Sequence, residues 1–421
     1  MIKTKIIYDV AVIGGGPAGL MAAGRAAELG AKVILLEKNP DLGKKLLLTG
    51  GGRCNLTNYE LEPRRFLAKF ADRQKFLFSP FAQFGVQETL DFFHAQGLET
   101  KVEAEGRVFP VSDSAQSVLD VLIDYALSHQ VKIKTGLLIG GFQLQGAKIT
   151  GLTLVGSSEI IQARSYILAT GGKSRPETGS TGEGLGWLRD LGHKPSDSVT
   201  ALVPIKTAEP WAKRLSGVSL SDIKLTIYQR QKKLSSGFGK ILFTHFGLSG
   251  PAVLNLSRQI GLALPQGSVK LQLDLRPDTE EVALDQELQI WLGQRLNKKL
   301  ANCLNGFVPA ALGPVLLELA RVNPDKAVNL LTRSERLALI KLIKGLEVTV
   351  TGLMGVDKAI VTSGGLDLTE IDSRTMRSRL QSNLYLIGDI LNIDRPSGGY
   401  SLQLCWTTGY VAGTAAVQAL Q

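Results

Sequence analysis

Cysteine is scarce in this 421-residue chain: Cys54, Cys303 and Cys405 stand far apart, with no CxxC pair among them. That spacing argues against a disulfide framework, a structural zinc site and the paired thiols of a disulfide reductase, so no metal is expected. Histidine is almost as rare. His94, His129, His193 and His245 are the whole supply of side chains that ordinarily exchange a proton near neutral pH. No apolar run approaches the roughly 18–20 residues of a membrane span. The opening MIKTKIIYDV lacks the apolar stretch and cleavage site of a signal peptide. A cytoplasmic protein without a membrane partner is therefore expected. Repeats and low-complexity tracts are absent too. The net charge is +10, yet the basic residues fall in short groups (Arg230 to Lys233, Arg295 to Lys299, Arg374 to Arg379) with no aromatic residues between them. That scatter favours a solvated surface over a nucleic-acid partner.

What is present is concentrated at the N-terminus. Residues 8–38 read YDVAVIGGGPAGLMAAGRAAELGAKVILLEK. The apolar run Val10 to Ile13 reads as a buried parallel strand. It enters Gly14-Gly-Gly16-Pro-Ala18-Gly19, then an Ala-rich helix, then a second apolar strand closed by Glu37. This is the dinucleotide fingerprint with its strands, helix and acid in place. Gly14 permits the tight turn, Gly16 lets backbone N–H groups approach a pyrophosphate, and Gly19 lets the helix lie close to the strand. Glu37 can accept hydrogen bonds from ribose hydroxyls, and the helix N-terminus adds partial positive charge.

Further along, residues 43–58 form a Gly-rich loop too varied to be a linker. Residues 63–97 read as helical, 98–111 as a hairpin, and 114–129 as a helix leading to a strand from Val131. Strands around Gly146 end in Ala169-Thr170-Gly171-Gly172. Residues 199–275 are strand-rich, with a hairpin signal at Arg230 to Lys233. Residues 278–346 are helical, and Thr332-x-x-Glu335 is a capping box. Then the opening grammar returns, as Leu386-Ile-Gly-Asp389 and a small-residue helix after Gly398-Gly399. The expected fold class is α/β, with a discontinuous Rossmann-like nucleotide domain (1–196 and 354–421). A β-barrel-like domain (197–275 and 345–353) and a small helical domain (276–344) are inserted in it.

Three separated elements select FAD over NAD: the fingerprint, the strand ending at Thr170 and Gly171, and Asp389. The last places a carboxylate where ribityl hydroxyls of an extended flavin can reach it. No second complete fingerprint exists, so NADH or NADPH would dock only transiently, as hydride donor.

The chain resembles a bacterial flavoprotein family named variously as aminoacetone oxidases, bile-acid-type 3-oxo-Δ4,6 reductases or NAD(P)/FAD-dependent oxidoreductases. The resemblance rests on GKKLLLTGGGRCNLTN at 43–58, GSTGEG at 179–184, FTHFGLSGP at 243–251, VTSGG at 361–365 and SGGY at 397–400. It implies an FAD domain with barrel-like and helical insertions, and FAD contacts at Ala18, Glu37, Lys38, Gly52, Arg53, Asn55, Val131 and Asp389. Lys45, Gly51, Thr170, Gly171, Gly399, Tyr400 and Leu402 complete the candidate cofactor residues, with Gly14, Gly16 and Gly19. Many relatives read Asp-Gly-x-x-Gly-Gly-Tyr-Asn where this chain has Asp394-Arg395-Pro-Ser-Gly-Gly-Tyr400-Ser401. That departure leaves the substrate open.

The candidate catalytic residues are His245 as proton donor and Arg395 and Tyr400 as groups polarising a carbonyl. The expected reaction is hydride transfer between flavin N5 and a small organic substrate, as NAD(P)H-linked reduction of an activated C=C. The alternatives are amine oxidation with O2 and an RNA-associated flavoprotein. Oligomeric state has no signature in the sequence.

Overall fold

In a computed structural model, which describes residues 7–146, 148–355 and 361–421, the first strand, β1 (Ile7–Ile13), lies mid-sheet. Parallel neighbours flank it on both sides: β2 (Val33–Leu36) and the strand Ser157–Leu168. Strand Lys132–Lys134 extends the sheet beyond β2, and Leu384–Leu386 pairs in parallel with Ser157–Leu168. Such strands are covered on both faces, which is why Val10 to Ile13 is apolar at every position and at most 2% exposed. Helix α1 (Pro17–Glu28) packs against the C-terminal helix Tyr400–Gln418 almost backbone to backbone. A Cβ on Gly409 or Gly413 would stand 2.6 Å from the carbonyl oxygen of Ala18 or Ala22. Both ends of the chain therefore build one core.

Contacts divide the chain into two units, Met1–Val199 with Ile360–Gln421, and Thr200–Ala359. The second unit contains a closed six-stranded barrel: Ile205–Thr207, Gly247–Ser249, Lys232–Thr244, Ser219–Gln229, Val269–Asp274 and Leu346–Leu353. Its longest hairpin turns at Arg230 and Gln231, with φ of +48° and +64°. Positive φ at both central residues matches the right-handed twist of the paired strands. Helices Glu281–Gly293, Leu312–Leu319 and Arg333–Lys344 share one hydrophobic core with the barrel. The last opens with the expected capping box: the Thr332 N–H donates to Glu335 Oε2 at 2.8 Å and the Glu335 N–H to Thr332 Oγ1 at 3.3 Å.

The stretch 63–97, read as helical, is three helices: Pro63–Ala68, Gln74–Gln83 and Val86–Ala95. Gly85 starts the last of them and donates its N–H to the Glu88 carboxylate at 2.9 Å. Among the described residues, no helix is long and apolar enough to cross a membrane. The signal-peptide reading rests partly on residues 1–6, and the VTSGG motif partly on side chains 361–363; these lie outside what the structure describes.

Candidate active site

Parallel strands end together, and the residues just past their carboxyl ends surround a cleft of about 900 Å³, part of it open to solvent. Gly14 and Gly16 follow β1, Glu37 follows β2, Ala169, Thr170 and Gly171 follow Ser157–Leu168, and Gly388 and Asp389 follow Leu384–Leu386. Ligands of open parallel sheets bind at this edge.

The fingerprint glycines are there for different physical reasons. Gly14 has φ +108°, and a Cβ on it would lie 2.5 Å from the Ala169 carbonyl oxygen. On Gly19 a Cβ would lie 1.9 Å from the Gly14 oxygen, so the helix could not close on the turn. Gly16 is unlike both. A Cβ there meets no protein atom within 4 Å, and Gly16 lines the cleft. Protein packing does not require glycine at 16; the space beside it is open to the cleft. Gly16 is the N-cap of α1, with no side-chain cap and no acid in the first turn. The helix start therefore offers N–H groups and partial positive charge to an anion.

Glu37 is buried and shapes the turn as well as lining the cleft. Its Oε2 accepts the Gly15 N–H at 2.7 Å, and its Oε1 accepts the Asn39 backbone and side-chain N–H groups at 2.8 Å each. Lys38 reaches across to Thr181 and Glu183, 2.9 Å from each. This draws the GSTGEG segment over the cleft, where residues 178–183 form a wall. Leu137, Ile139 and Trp187 add apolar surface. The buried Thr170 Oγ1 has no hydrogen-bond partner among the described residues.

Asp389 is the electrostatic centre. Its Oδ2 accepts from Lys45 Nζ at 2.8 Å, and its Oδ1 from Arg395 Nη2. Burial by itself would push this carboxyl up; Lys45 and Arg395 reverse that and hold it at about 2. Arg395 donates also to the Ile393 carbonyl at 2.6 Å and to Ser401 Oγ at 3.2 Å, so each of its three nitrogens has a partner. Lys45 donates in addition to Ser174 Oγ at 2.7 Å. Cys405 also lines the cleft, but burial pushes its thiol up to about 12, as it does that of Cys54.

Of the sequence-derived candidates, Gly14, Gly16, Ala18, Glu37, Lys38, Lys45, Thr170, Gly171 and Asp389 come together at the cleft. Gly19, Gly51, Gly52, Arg53, Asn55, Val131, Arg395, Gly399, Tyr400 and Leu402 are not among its lining residues. Arg53 pairs with Glu103 and Asp113 and lies over the Phe109 ring at 4.1 Å. Asn55, with its amide oriented to suit its neighbours, accepts the Gly399 N–H at 3.0 Å and so ties the GGGRCN loop to the start of the C-terminal helix. Gly399 is needed for packing: a Cβ there would stand 2.3 Å from the Thr57 carbonyl. Tyr400 sits in an aromatic cluster, 4.8 Å from Phe66 and 5.9 Å from Phe70, and burial pushes its phenol up. His245 belongs to the second unit, on the tight turn joining two barrel strands, edge-on to Phe246 at 4.9 Å.

Thr181 and Glu183 stand in the sequence only as part of the GSTGEG motif, and Trp187 carries no motif at all. The signal was there in Lys38 and Glu183, which are opposite charges that meet across 145 residues. Nothing local in the chain announces the pairing.

FAD fits this cleft on the chain's own features: the open space at Gly16, the uncapped helix start and the apolar wall. A family model described as HI0933-like protein Rossmann domain matches residues 8–415. The 3-dehydro-bile acid delta(4,6)-reductase of Clostridium scindens is 34% identical over 413 residues, 97% of this chain and 99% of its own. The ribosomal RNA dihydrouridine synthase of Escherichia coli is 29% identical, covering 96% of each chain, and that of Haemophilus influenzae is 30% identical, covering 95% and 96%. Among solved structures, 3-ketosteroid-delta4-(5alpha)-dehydrogenase from Rhodococcus jostii RHA1 superposes with a TM-score of 0.55 at 15% identity, over 99% of this chain and 98% of its own. That likeness is one of fold.

Proposed function

The chain belongs to the HI0933-like family and is an FAD-dependent oxidoreductase, and from that premise we propose that it reduces a C=C bond conjugated to a carbonyl, in the cytoplasm, with NADH or NADPH as transient hydride donor. The observation that carries the reading is the cleft at the strand ends, where Asp389 is held ionised between Lys45 and Arg395. The names of the relatives support it, because a delta(4,6)-reductase and a dihydrouridine synthase both denote the saturation of such a bond.

FAD, when bound, supplies two-electron hydride chemistry at its N5. The chain's own residues bind and orient it. The α1 N-terminus with Gly14 and Gly16 would receive the pyrophosphate, Glu37 the adenosine ribose, and Asp389 the ribityl hydroxyls. Arg395, with each of its three guanidinium nitrogens hydrogen-bonded within the protein, acts as a positioning residue and not as a polariser of substrate. Among the described residues His245 makes no hydrogen bond or ion pair, so both ring nitrogens are open to move a proton. His245→Gln is expected to slow substrate reduction 10²- to 10⁴-fold, the usual scale of acid–base catalysis, while NAD(P)H still reduces the flavin normally.

A second reading has its own support. Ribosomal RNA dihydrouridine synthases match 95–96% of this chain, and the net charge is +10; the C=C is then a uridine within RNA. Anaerobic reduction of the bound flavin by NADH or NADPH, followed by mixing with candidate oxidants, tests both. Reoxidation by an α,β-unsaturated ketone supports the first reading, and reoxidation by uridine-containing RNA the second. A flavin reduced by amines and reoxidised only by O2 would overturn both.

A further inference from the structure

The second unit contains most of the chain's surplus charge. Residues 201–275 carry ten Lys and Arg against three Asp and Glu, seven of the ten net positive charges of the whole protein. In sequence these residues are scattered; the barrel gathers them. On strand Ser219–Gln229, Ile223, Leu225 and Ile227 are buried, so Lys224 and Tyr228 belong to the opposite, outer face. Lys224 stands opposite Phe238 on the neighbouring strand, and Tyr228 stands between Lys233 on one side and Lys270 on the other. Lys240 follows two residues after Phe238, on the same face, and Arg230 and Lys232 flank the hairpin turn.

The face is left open. Phe238 is 57% exposed although it lies mid-strand, and Leu234 is 44% exposed. Lys224, Lys232, Lys233 and Lys240 make no ion pair among the described residues, whereas Lys270 pairs with Glu347 at 3.0 Å. Two aromatic rings are thus displayed on adjacent strands. Lys224, which faces one of them, and Tyr228 are four residues apart, roughly 13 Å along the strand. Lys224, Lys233 and Lys240, which make no ion pair among the described residues, lie beside them, and Asp274 stands opposite Lys224 on the strand at its other side. Flat rings on a sheet surface stack unpaired bases, and ammonium groups beside them neutralise phosphates.

We infer that the outer face of the hairpin formed by Ser219–Gln229 and Lys232–Thr244 is a docking surface for single-stranded RNA, with Phe238 and Tyr228 stacking bases and Lys224, Lys233 and Lys240 contacting phosphates. The inference rests on the reading in which the substrate is a uridine in RNA, and it names a surface of the second unit that binds RNA.

The test is fluorescence anisotropy of the full-length flavoprotein with a labelled 20-nucleotide oligouridylate over a KCl series. Phe238→Ser is expected to weaken binding roughly five- to hundredfold, the range for losing one stacked base. Lys224→Ala with Lys240→Ala is expected to flatten the salt dependence by about 1.4 in the log–log slope, about 0.7 for each single-strand phosphate contact. Both changes are on exposed side chains outside the cleft, so flavin content and melting temperature report folding. Lys69→Ala with Lys75→Ala, exposed in the first unit, serves as control and should bind as the parent does.

Binding that is equal in parent and Phe238→Ser, or loss of binding in the control alone, would overturn the proposal. So would binding to phosphatidylserine vesicles, weakened by the same changes, with no RNA binding; the face would then be a membrane-surface site. A protein that reduces enones but ignores RNA removes the docking face and leaves the reductase reading standing. Conversely, RNA binding through this face without transfer of reducing equivalents to any C=C defeats the reductase reading and leaves the face intact.

Discussion

The two units handle charge in opposite ways. In the first, the charged groups at the cleft are turned inward and paired: Asp389 with Lys45 and Arg395, Lys38 with Glu183. In the second, lysines on the barrel hairpin stand outward and unpaired among the described residues, next to an exposed Phe238. Paired, buried charge fixes a geometry; open charge on a sheet face waits for a partner. Each unit also has an acid pulled to about 2. Asp389 reaches it against burial, through two cations, whereas Glu335 reaches it near the surface, through Lys326 and the Thr332 backbone. Equal pKa values hide unequal stakes, since removing one partner of a buried pair strands a charge while removing a surface one does not.

The largest effect expected from breaking this comparison is at Gly14. Gly14→Val forces a Cβ to within 2.5 Å of the Ala169 oxygen at φ +108°, and should leave the first unit unfolded and colourless. Gly16→Val separates binding from folding. Its side chain enters space free of protein atoms, so circular dichroism should match the parent while the flavin absorbance is lost. A Gly16→Val protein that keeps its full complement of FAD would break the assignment of that space.

Next comes Asp389→Asn, which leaves Arg395, a side chain with no exposed surface, without its counter-charge. Urea denaturation should show a loss of about 3–5 kcal/mol. The pH dependence follows from the sign of the shift. A carboxyl whose folded pKa is depressed to about 2 from 3.8 stabilises fully above about pH 4 and loses that contribution as pH falls toward 2. The parent should therefore weaken through this window, and Asp389→Asn should weaken less steeply. The smallest effect is at the capping box of the second unit, where Thr332→Ala should cost about 1 kcal/mol, read by the same denaturation.

Much of the first unit was legible because its signals are local. A buried parallel strand is an apolar run, a left-handed turn asks for glycine, and a helix start follows at once, so β1, α1 and the roles of Gly14 and Gly19 could be read in order. The two strand ends at Thr170 and Asp389 were legible for the same reason. The ion network that Arg395 forms with Asp389 was not legible, because nothing in its neighbourhood shows that Lys45, 344 residues from Asp389, completes it. The wall at residues 178–183 was missed as a wall because Lys38 draws it in from 143 residues away. In the GGGRCN loop, Arg53 and Asn55 turned out to be engaged with Asp113, Glu103 and Gly399, partners that only folding brings near.

Charge shows the division most clearly. Its sign and total were set by composition, and the glycine turn with its flanking strands was set by short-range sterics and hydrophobic burial, so the sequence alone determined a dinucleotide fold with a basic surface. Where the charge gathers was decided by strand pairing. Only the barrel's register puts Lys224 opposite Phe238 and Lys233 opposite Tyr228, because a two-residue alternation chooses the face of each side chain but not its neighbour on the next strand. The same holds at the cleft: the strands could be named one by one, but the parallel order of the sheet is what brings Gly16, Glu37, Thr170 and Asp389 to one edge.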